Sequence, residues 1–321
     1  MSRIVTFSPA YTIVPTYECF NRCLYCNFRV DVGKASWLEI ETAKKILASL
    51  RGVTEILILS GEIHPLSPRR HLWFQRIYHL GKLALSCGFF PHTNAGVLSY
   101  EEMSRLKRVN FSLGLMLEQV VSLDVHKHAP TKRPELRIQQ LQWAGELKIP
   151  FTTGILLGIG ETNQDRYESL KVIASIHEKW GHIQEVIIQP YRPGRQDKYQ
   201  GKPISKEETL EVVAMARRIL PPDITIQIPP NLISDKQLLL EALQLGVRDL
   251  GGIVVKDEVN PDYPHEDITT LRDFLRENGW QLKPRLPVYP QYYSWLPPHL
   301  QTLIQNFLSQ NKNYLCHPPT L

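Results

Sequence analysis

Tyr17-Glu18-Cys19-Phe20-Asn21-Arg22-Cys23-Leu24-Tyr25-Cys26 places three of the chain's five cysteines within eight residues, spaced Cx3Cx2C. Three thiolates suit three irons of a [4Fe-4S] cube, whereas electron-carrying clusters take four cysteines and leave no iron open. The fourth iron is then free for a small ligand. Tyr25, directly before the third cysteine, offers a ring at the edge of a loop folded round such a cluster. Other readings of the triad fit its surroundings less well. A tetrahedral zinc site needs a fourth Cys or His at short range, and the next histidine is His64. A thioredoxin-like dithiol of Cys23 and Cys26 leaves Cys19 without a role. Three core thiols would sit beside the polar Glu18, Asn21 and Arg22.

Outward from this loop, the chain alternates strand and helix signals. Tyr11 to Tyr17 reads as a strand, with Pro15 tolerable only at a bulge or an unpaired position. Helical spacing of Leu38, Ile40, Ala43, Ile46 and Leu47 predicts a return helix over Trp37 to Leu50. Further strands are expected at Glu55–Ser60, Phe89–Ala95, Asn110–Leu117, Phe151–Gly158, Glu185–Tyr191, Ile224–Ile228 and Val247–Val254, with helical segments between them and a last one at Ile268–Glu277. Eight such units predict parallel βαβ crossovers closing into a (β/α)8 TIM-type barrel. The expected division is residues 1–283 for the barrel and 284–321 for a proline- and aromatic-rich C-terminal extension packing on it.

Composition bounds the function. At 321 residues, with 43% hydrophobic and 21% charged residues, the chain has the size and balance of one globular barrel with extensions. A net charge of +5 without a Lys/Arg block gives no reason to expect a nucleic-acid partner. The segment from Met1 to Pro9 lacks the apolar core of a signal peptide, and no run reaches membrane-span length, so a cytoplasmic protein without a membrane partner is expected. Cys87 and Cys316 read as unpaired thiols of a reducing compartment. Glu62, Asn94, Glu118, Glu161, Gln189 and Asp249 fall at or beyond the C-terminal ends of expected strands, where barrel enzymes build their sites. Several carboxylates there are costly to desolvate alone, which points to a cationic or strongly hydrogen-bonding ligand.

With these residues in place, the cysteine stretch resembles the signature of the radical S-adenosylmethionine (SAM) superfamily, in which the open iron takes the amino and carboxylate groups of SAM. The resemblance implies further SAM contacts. Ser60-Gly61-Glu62 stands where the family's second-strand turn meets the methionyl amino group, with Ser where Gly is usual; its alternative is an ordinary surface turn. Gly154-Ile-Leu-Leu-Gly-Ile-Gly-Glu161 resembles the fifth-strand motif that approaches adenine, with Gly158 and Glu161 in it, although Glu161 can equally serve the turn. Glu118 stands where the family binds ribose hydroxyls. Arg137 matches an arginine for the methionyl carboxylate, or else is a solvated helix-surface residue. With Tyr25 and Asn94 these complete the expected cofactor set.

Longer phrases narrow the resemblance. Asn21-Arg-Cys-Leu-Tyr-Cys-Asn-Phe28, Pro91-His-Thr-Asn-Ala-Gly96, Gly114-Leu-Met-Leu-Glu118, Ile149 to Thr162, and Asp249-Leu-Gly-Gly-Ile253 with Val259-Asn-Pro261 are similar to the CofG-type subunit family of 7,8-didemethyl-8-hydroxy-5-deazariboflavin (FO) synthase. That family's role implies closure of a deazaflavin ring from a hydroxybenzyl, ribityl-aminouracil adduct supplied by the partner enzyme CofH, with loss of ammonia, on the route to coenzyme F420. A low-potential donor such as ferredoxin or flavodoxin is implied as well. With a single cysteine triad, the chain is expected to be the separate subunit rather than a fusion. Gln189, Asn231, Asp249 and Asn260 are the expected substrate contacts, with Asn94 as a further amide; each can instead be a loop-forming residue. His126 and His128 are candidate proton carriers, or exposed loop histidines. The rival functions are a related radical SAM enzyme for another aromatic or tyrosine-derived substrate, and a non-catalytic iron–sulfur carrier.

Overall fold

A computed structural model describes residues 3–233, 235–254 and 256–314; Cys316 lies outside them. Eight strands form a closed parallel barrel. They are β1 (Arg3–Ile13), β2 (Glu55–Leu59), β3 (Phe90–Asn94), β4 (Ser112–Gly114), β5 (Phe151–Leu157), β6 (Ile183–Pro190), β7 (Thr225–Gln227) and β8 (Val247–Ile253), with β8 and β2 both paired to β1. The crossover helices are α1 (Ile40–Ser49), α2 (Arg70–Ser86), α3 (Tyr100–Leu106), α4 (Pro134–Glu146), α5 (Asn163–Trp180), α6 (Lys206–Ile219), α7 (Lys236–Gln244) and α8 (Ile268–Glu277). The expected TIM-type barrel is therefore present. None of the described helices is long and apolar enough to cross a membrane.

Strand periodicity decides what faces inward. Along β2, Ile56 and Ile58 are wholly buried, while Glu55, Leu57 and Leu59 line the barrel interior; on β3, His92 and Asn94 do the same. The in-register pairing Leu57↔His92 and Leu59↔Asn94 lays these side chains in layers. Helix starts are written locally: Ser99/Glu102, Thr162/Asp165 and Ser205/Glu208 form capping boxes at α3, α5 and α6.

β1 departs from the expected Tyr11–Tyr17. It begins at Arg3 and ends before Pro15, because its first half has a partner that strand alternation alone does not reveal. Residues Arg3 to Phe7 pair with a ninth parallel strand, β9 (Trp280–Pro284), and only Ala10 to Ile13 pair with β2. A register shift between Thr6 and Ser8 against β8 accommodates the irregularity next to Pro9. β4 is also shorter than expected, since the chain turns away after Gly114. Beyond β9, Leu286, Val288, Tyr289, Tyr292 and Leu296, with Leu300 and Ile304 of α9 (Pro298–Gln310), cluster against Phe90 and Phe111 and close the barrel's N-terminal end.

Candidate active site

The cysteine loop follows β1 and is clamped from several sides. Cys19 N donates to Val30 O (3.0 Å), Arg22 N to His128 O (2.8 Å), Leu24 N to Val125 O (3.0 Å), and Lys198 N to Leu24 O (2.7 Å). Glu18, 1% exposed, anchors it beneath by accepting from Gly33 N (2.9 Å) and Trp37 Nε1 (3.1 Å) and pairing with Arg69 (2.7 Å). Cys19, Cys23 and Cys26 are free thiols on the wall of one cavity. Burial pushes Cys23 up to about 12, and burial with the nearby Glu62 pushes Cys19 up to about 11. A metal is what would draw off those protons. Among the described residues, no three His, Cys, Asp or Glu side chains are grouped to share one ion. A cube offers each thiolate its own iron, so the donor set and its spread fit a [4Fe-4S] cluster better than zinc.

The cavity, about 230 Å³, gathers most of the residues expected from sequence: the three cysteines, Tyr25, Ser60, Gly61, Glu62, Asn94, Glu118, Arg137, Gln189 and Asn260 all line it. Gly61 is required there, since a Cβ would lie 2.2 Å from Glu18 O. Glu62 is 5% exposed; it accepts from Thr131 Oγ1 (2.7 Å) and Val97 N (3.2 Å), and Gly96 leaves room for its carboxyl. Glu118 sits at φ 65°, a left-handed position that turns its side chain off the end of the β4 segment. Burial works to raise its carboxyl, but the contacting Lys132 and the nearby Arg137 outweigh that and hold it below the usual carboxylate range.

Arg137, on α4, is 2% exposed, which removes the helix-surface alternative. Its Nε donates to Thr131 O (3.1 Å) and a terminal nitrogen to Met116 O, while Glu62 and Glu118 stand back at 3.9 and 3.8 Å. The Tyr25 hydroxyl and His126 Nε2 lie 2.8 Å apart; burial first, then Lys132, depresses His126 to about 4 and leaves it neutral near pH 7. His128 is exposed and contributes its backbone carbonyl.

Four expected contacts lie elsewhere. Glu161 accepts from the backbone of Gly158 and Ile159 (both 2.8 Å) and pairs with Arg166 at 2.7 Å, so its carboxylate ties the turn after β5; Gly158, at φ 86°, belongs to the same turn. Asn231 donates to Asp257 (2.8 Å) and Tyr263 O (2.9 Å) beside a separate recess. Asp249 is wholly buried and held by Arg285 through two contacts of 2.6 and 2.9 Å. None of these four lines the cavity.

Beneath it lies a second chamber of about 190 Å³, sharing Leu59, Asn94, Met116, Gln189, Val259 and Asn260 with the first. Glu55, His92, Glu185, Gln227 and Arg285 line its deeper part. Sequence reasoning missed these, along with Lys132 and Thr131. Lys132 had a signal, as a basic residue in the polar loop between β4 and α4; Arg285 had none, because nothing local distinguishes it within the tail.

A parallel barrel whose three-cysteine loop opens onto an acid- and arginine-lined cavity at the C-terminal strand ends has the architecture of the radical SAM proteins. The model of the Radical SAM superfamily matches residues 13–173, and the chain belongs to that superfamily. Two solved structures share its fold: the FeFe-hydrogenase maturase HydG from Carboxydothermus hydrogenoformans (TM-score 0.73, 18% identity, covering 96% of this chain and 78% of that one) and methylornithine synthase PylB (TM-score 0.69, 17% identity, 87% and 84%). Curated relatives are far closer in sequence. The 7,8-didemethyl-8-hydroxy-5-deazariboflavin synthase of Trichormus variabilis is 59% identical over 309 residues, 95% of this chain and 91% of that protein; that of Synechococcus elongatus is 57% identical over 314 residues, 96% and 94%. The chain belongs to this synthase family. A [4Fe-4S] cluster and SAM are its cofactors.

Proposed function

We infer that this chain is the FO-forming radical SAM enzyme of coenzyme F420 biosynthesis. It converts 5-amino-5-(4-hydroxybenzyl)-6-(D-ribitylimino)-5,6-dihydrouracil to FO with release of ammonia, methionine and 5′-deoxyadenosine, an ammonia-lyase-type reaction. The observation that carries this reading is the convergence of the triad, Glu62, Glu118 and Arg137 on one cavity, in a chain with majority identity to FO synthases along nearly its whole length.

When bound, the cluster and SAM would supply the one-electron chemistry that removes hydrogen from an unactivated C–H bond of the substrate. The chain's own residues hold and orient. Cys19, Cys23 and Cys26 would hold three irons of the cluster, leaving one open to SAM. Arg137 would take the methionyl carboxylate, with Glu62 and the Ser60-Gly61 backbone serving the amino group. Glu118 would serve the ribose hydroxyls and Tyr25 the adenine, while Gly158 and Glu161 act by shaping their turn. Leu115, Met116 and Leu156 on the cavity wall keep water away. Asn94, Gln189 and Asn260, at the junction of the two cavities, offer amides to the substrate.

CofH supplies the adduct and a ferredoxin- or flavodoxin-type protein supplies electrons; the four free cysteines among the described residues suit a cytoplasmic enzyme. The test is an anaerobic reaction of cluster-reconstituted protein with dithionite, SAM and the adduct. FO and 5′-deoxyadenosine forming together are expected. Deoxyadenosine without FO would reject the substrate assignment, and neither product from a protein with an intact cluster would favour the electron-carrier alternative.

A further inference from the structure

The deeper chamber has a lining unlike the cavity above it. Tyr25, Phe28 and Tyr191 border the upper cavity, whereas among the described residues no Phe, Tyr or Trp borders the lower one. Its wall carries carboxyl, imidazole and amide groups, a surface that suits hydroxyls. Given the functional reading above, on which this inference rests, we propose that the lower chamber holds the polyhydroxylated ribityl arm of the substrate, with Glu55, His92 and Gln227 as its hydrogen-bonding partners.

Each partner is prepared by its neighbours. His92 Nδ1 lies 2.6 Å from Ser112 Oγ, and that hydroxyl donates onward to Pro287 O. Ser112 therefore accepts from His92, which puts the imidazole proton on Nδ1. Burial keeps the ring neutral, with a pKa depressed to about 3. Nε2 is then a pure acceptor. It lies against Gly114, where a Cβ would approach to 2.8 Å, so the glycine leaves this face of the ring unobstructed. A substrate hydroxyl is the donor it lacks.

Glu55 is 7% exposed at the start of β2, and among the described residues it forms no ion pair. The one guanidinium at this depth, Arg285, is taken by Asp249 and Glu185. Burial weighs most on the Glu55 carboxyl, and the more distant Arg285 and the adjacent Ser8 hydroxyl offset it only in part. A buried carboxyl without an ion pair is costly unless something hydrogen-bonds it, and burial raises its pKa toward the neutral acid, which both donates and accepts. Gln227, on β7, passes over Gly251, where a Cβ would meet its Nε2 at 2.3 Å, so the glycine leaves room for the amide. Among the described residues its amide has no hydrogen-bond partner, so a chain of hydroxyls would complete it.

The test compares two substrates: the ribityl adduct and an analogue whose ribityl group is replaced by methyl. Wild-type enzyme is expected to favour the ribityl adduct in kcat/KM, and Gln227→Leu to shrink that preference by about tenfold, the worth of a well-made hydrogen bond in a dry site. Glu55→Gln, nearly isosteric, should shrink it less while retaining the wild-type Tm. Both changes should fall on KM more than on kcat. An unchanged ratio in folded variants, or a wild-type enzyme indifferent to the arm, would overturn the assignment while leaving FO synthesis intact. A wild-type enzyme that forms no FO from the ribityl adduct would overturn the functional reading and this assignment with it.

Discussion

Two buried arginines stand between pairs of carboxylates at opposite depths of the barrel, and they are set differently. Arg285, at the floor, grips Asp249 at 2.6 and 2.9 Å and Glu185 at 2.5 Å, with the Tyr289 hydroxyl bridging the same carboxylates. Arg137, at the mouth, spends its hydrogen bonds on the backbone carbonyls of Thr131 and Met116 and keeps Glu62 and Glu118 at 3.9 and 3.8 Å. Both are almost inaccessible to solvent. The lesson lies in the distances: a fork closed on protein carboxylates has no capacity left for a ligand, whereas one oriented by carbonyls and held short of its acids can take a third carboxylate. We infer that the floor arginine serves the fold and the mouth arginine the cofactor.

The largest expected effect lies at the floor. Arg285→Met strands the buried Asp249 carboxylate without a cation and is expected to cost about 3–5 kcal/mol of stability, read by denaturant unfolding. At the mouth, Arg137→Ala is expected to weaken SAM binding by roughly ten- to a hundredfold, the scale of hydrogen bonds to a charged group. Equilibrium dialysis measures it. Equal damage to stability in both variants would erase the contrast.

A smaller effect appears with pH. Burial and Asp249 raise Glu185 despite the opposing pull of Arg285. A carboxyl raised in the folded state contributes stability that is complete below its unfolded pKa and is lost as pH rises through the raised folded value. The Tm should therefore decline from mildly acid into mildly alkaline buffer, and Glu185→Gln should flatten that decline. Smallest is an acid effect on the outer layer. His182 is wholly buried, and burial, with His177 nearby, depresses it to about 3. Its depressed pKa gives stability present above the unfolded value and lost as pH falls toward the folded one. His182→Phe should reduce the loss of Tm between about pH 6.5 and the acid limit; an unchanged acid slope would contradict this.

The same contrast explains what could be read in the sequence. The mouth is built largely from residues close to their motifs: the triad lies within one loop, Ser60-Gly61-Glu62 directly follows β2, and Glu118 follows β4. Strand ends and spacing were enough to place them. Arg137 was legible as a family position, but its burial depended on the Thr131 and Met116 carbonyls, which only the folded loop brings round it. The floor joins β6, β8 and the segment after β9, so Glu185 and Arg285 meet across 100 residues with no local pattern to announce them. Asp249 was visible as a polar residue in a strand, yet its commitment to Arg285 was not. Glu161 and Asn231 show the related difficulty that a polar residue near a strand end can tie its own turn. β1 was displaced for a similar reason, since its first half is held by β9 from the far end of the chain.

The most direct test of this division is to measure SAM affinity and Tm side by side in Arg137→Lys and Arg285→Lys, each of which keeps the charge but removes the fork. A crossed result is expected: Arg137→Lys weakens SAM binding with little change in Tm, and Arg285→Lys lowers Tm with little change in SAM affinity. If Arg285→Lys weakened SAM binding as much as Arg137→Lys did, or if Arg137→Lys bound SAM like wild type, the assignment of one arginine to cofactor and the other to fold would be contradicted.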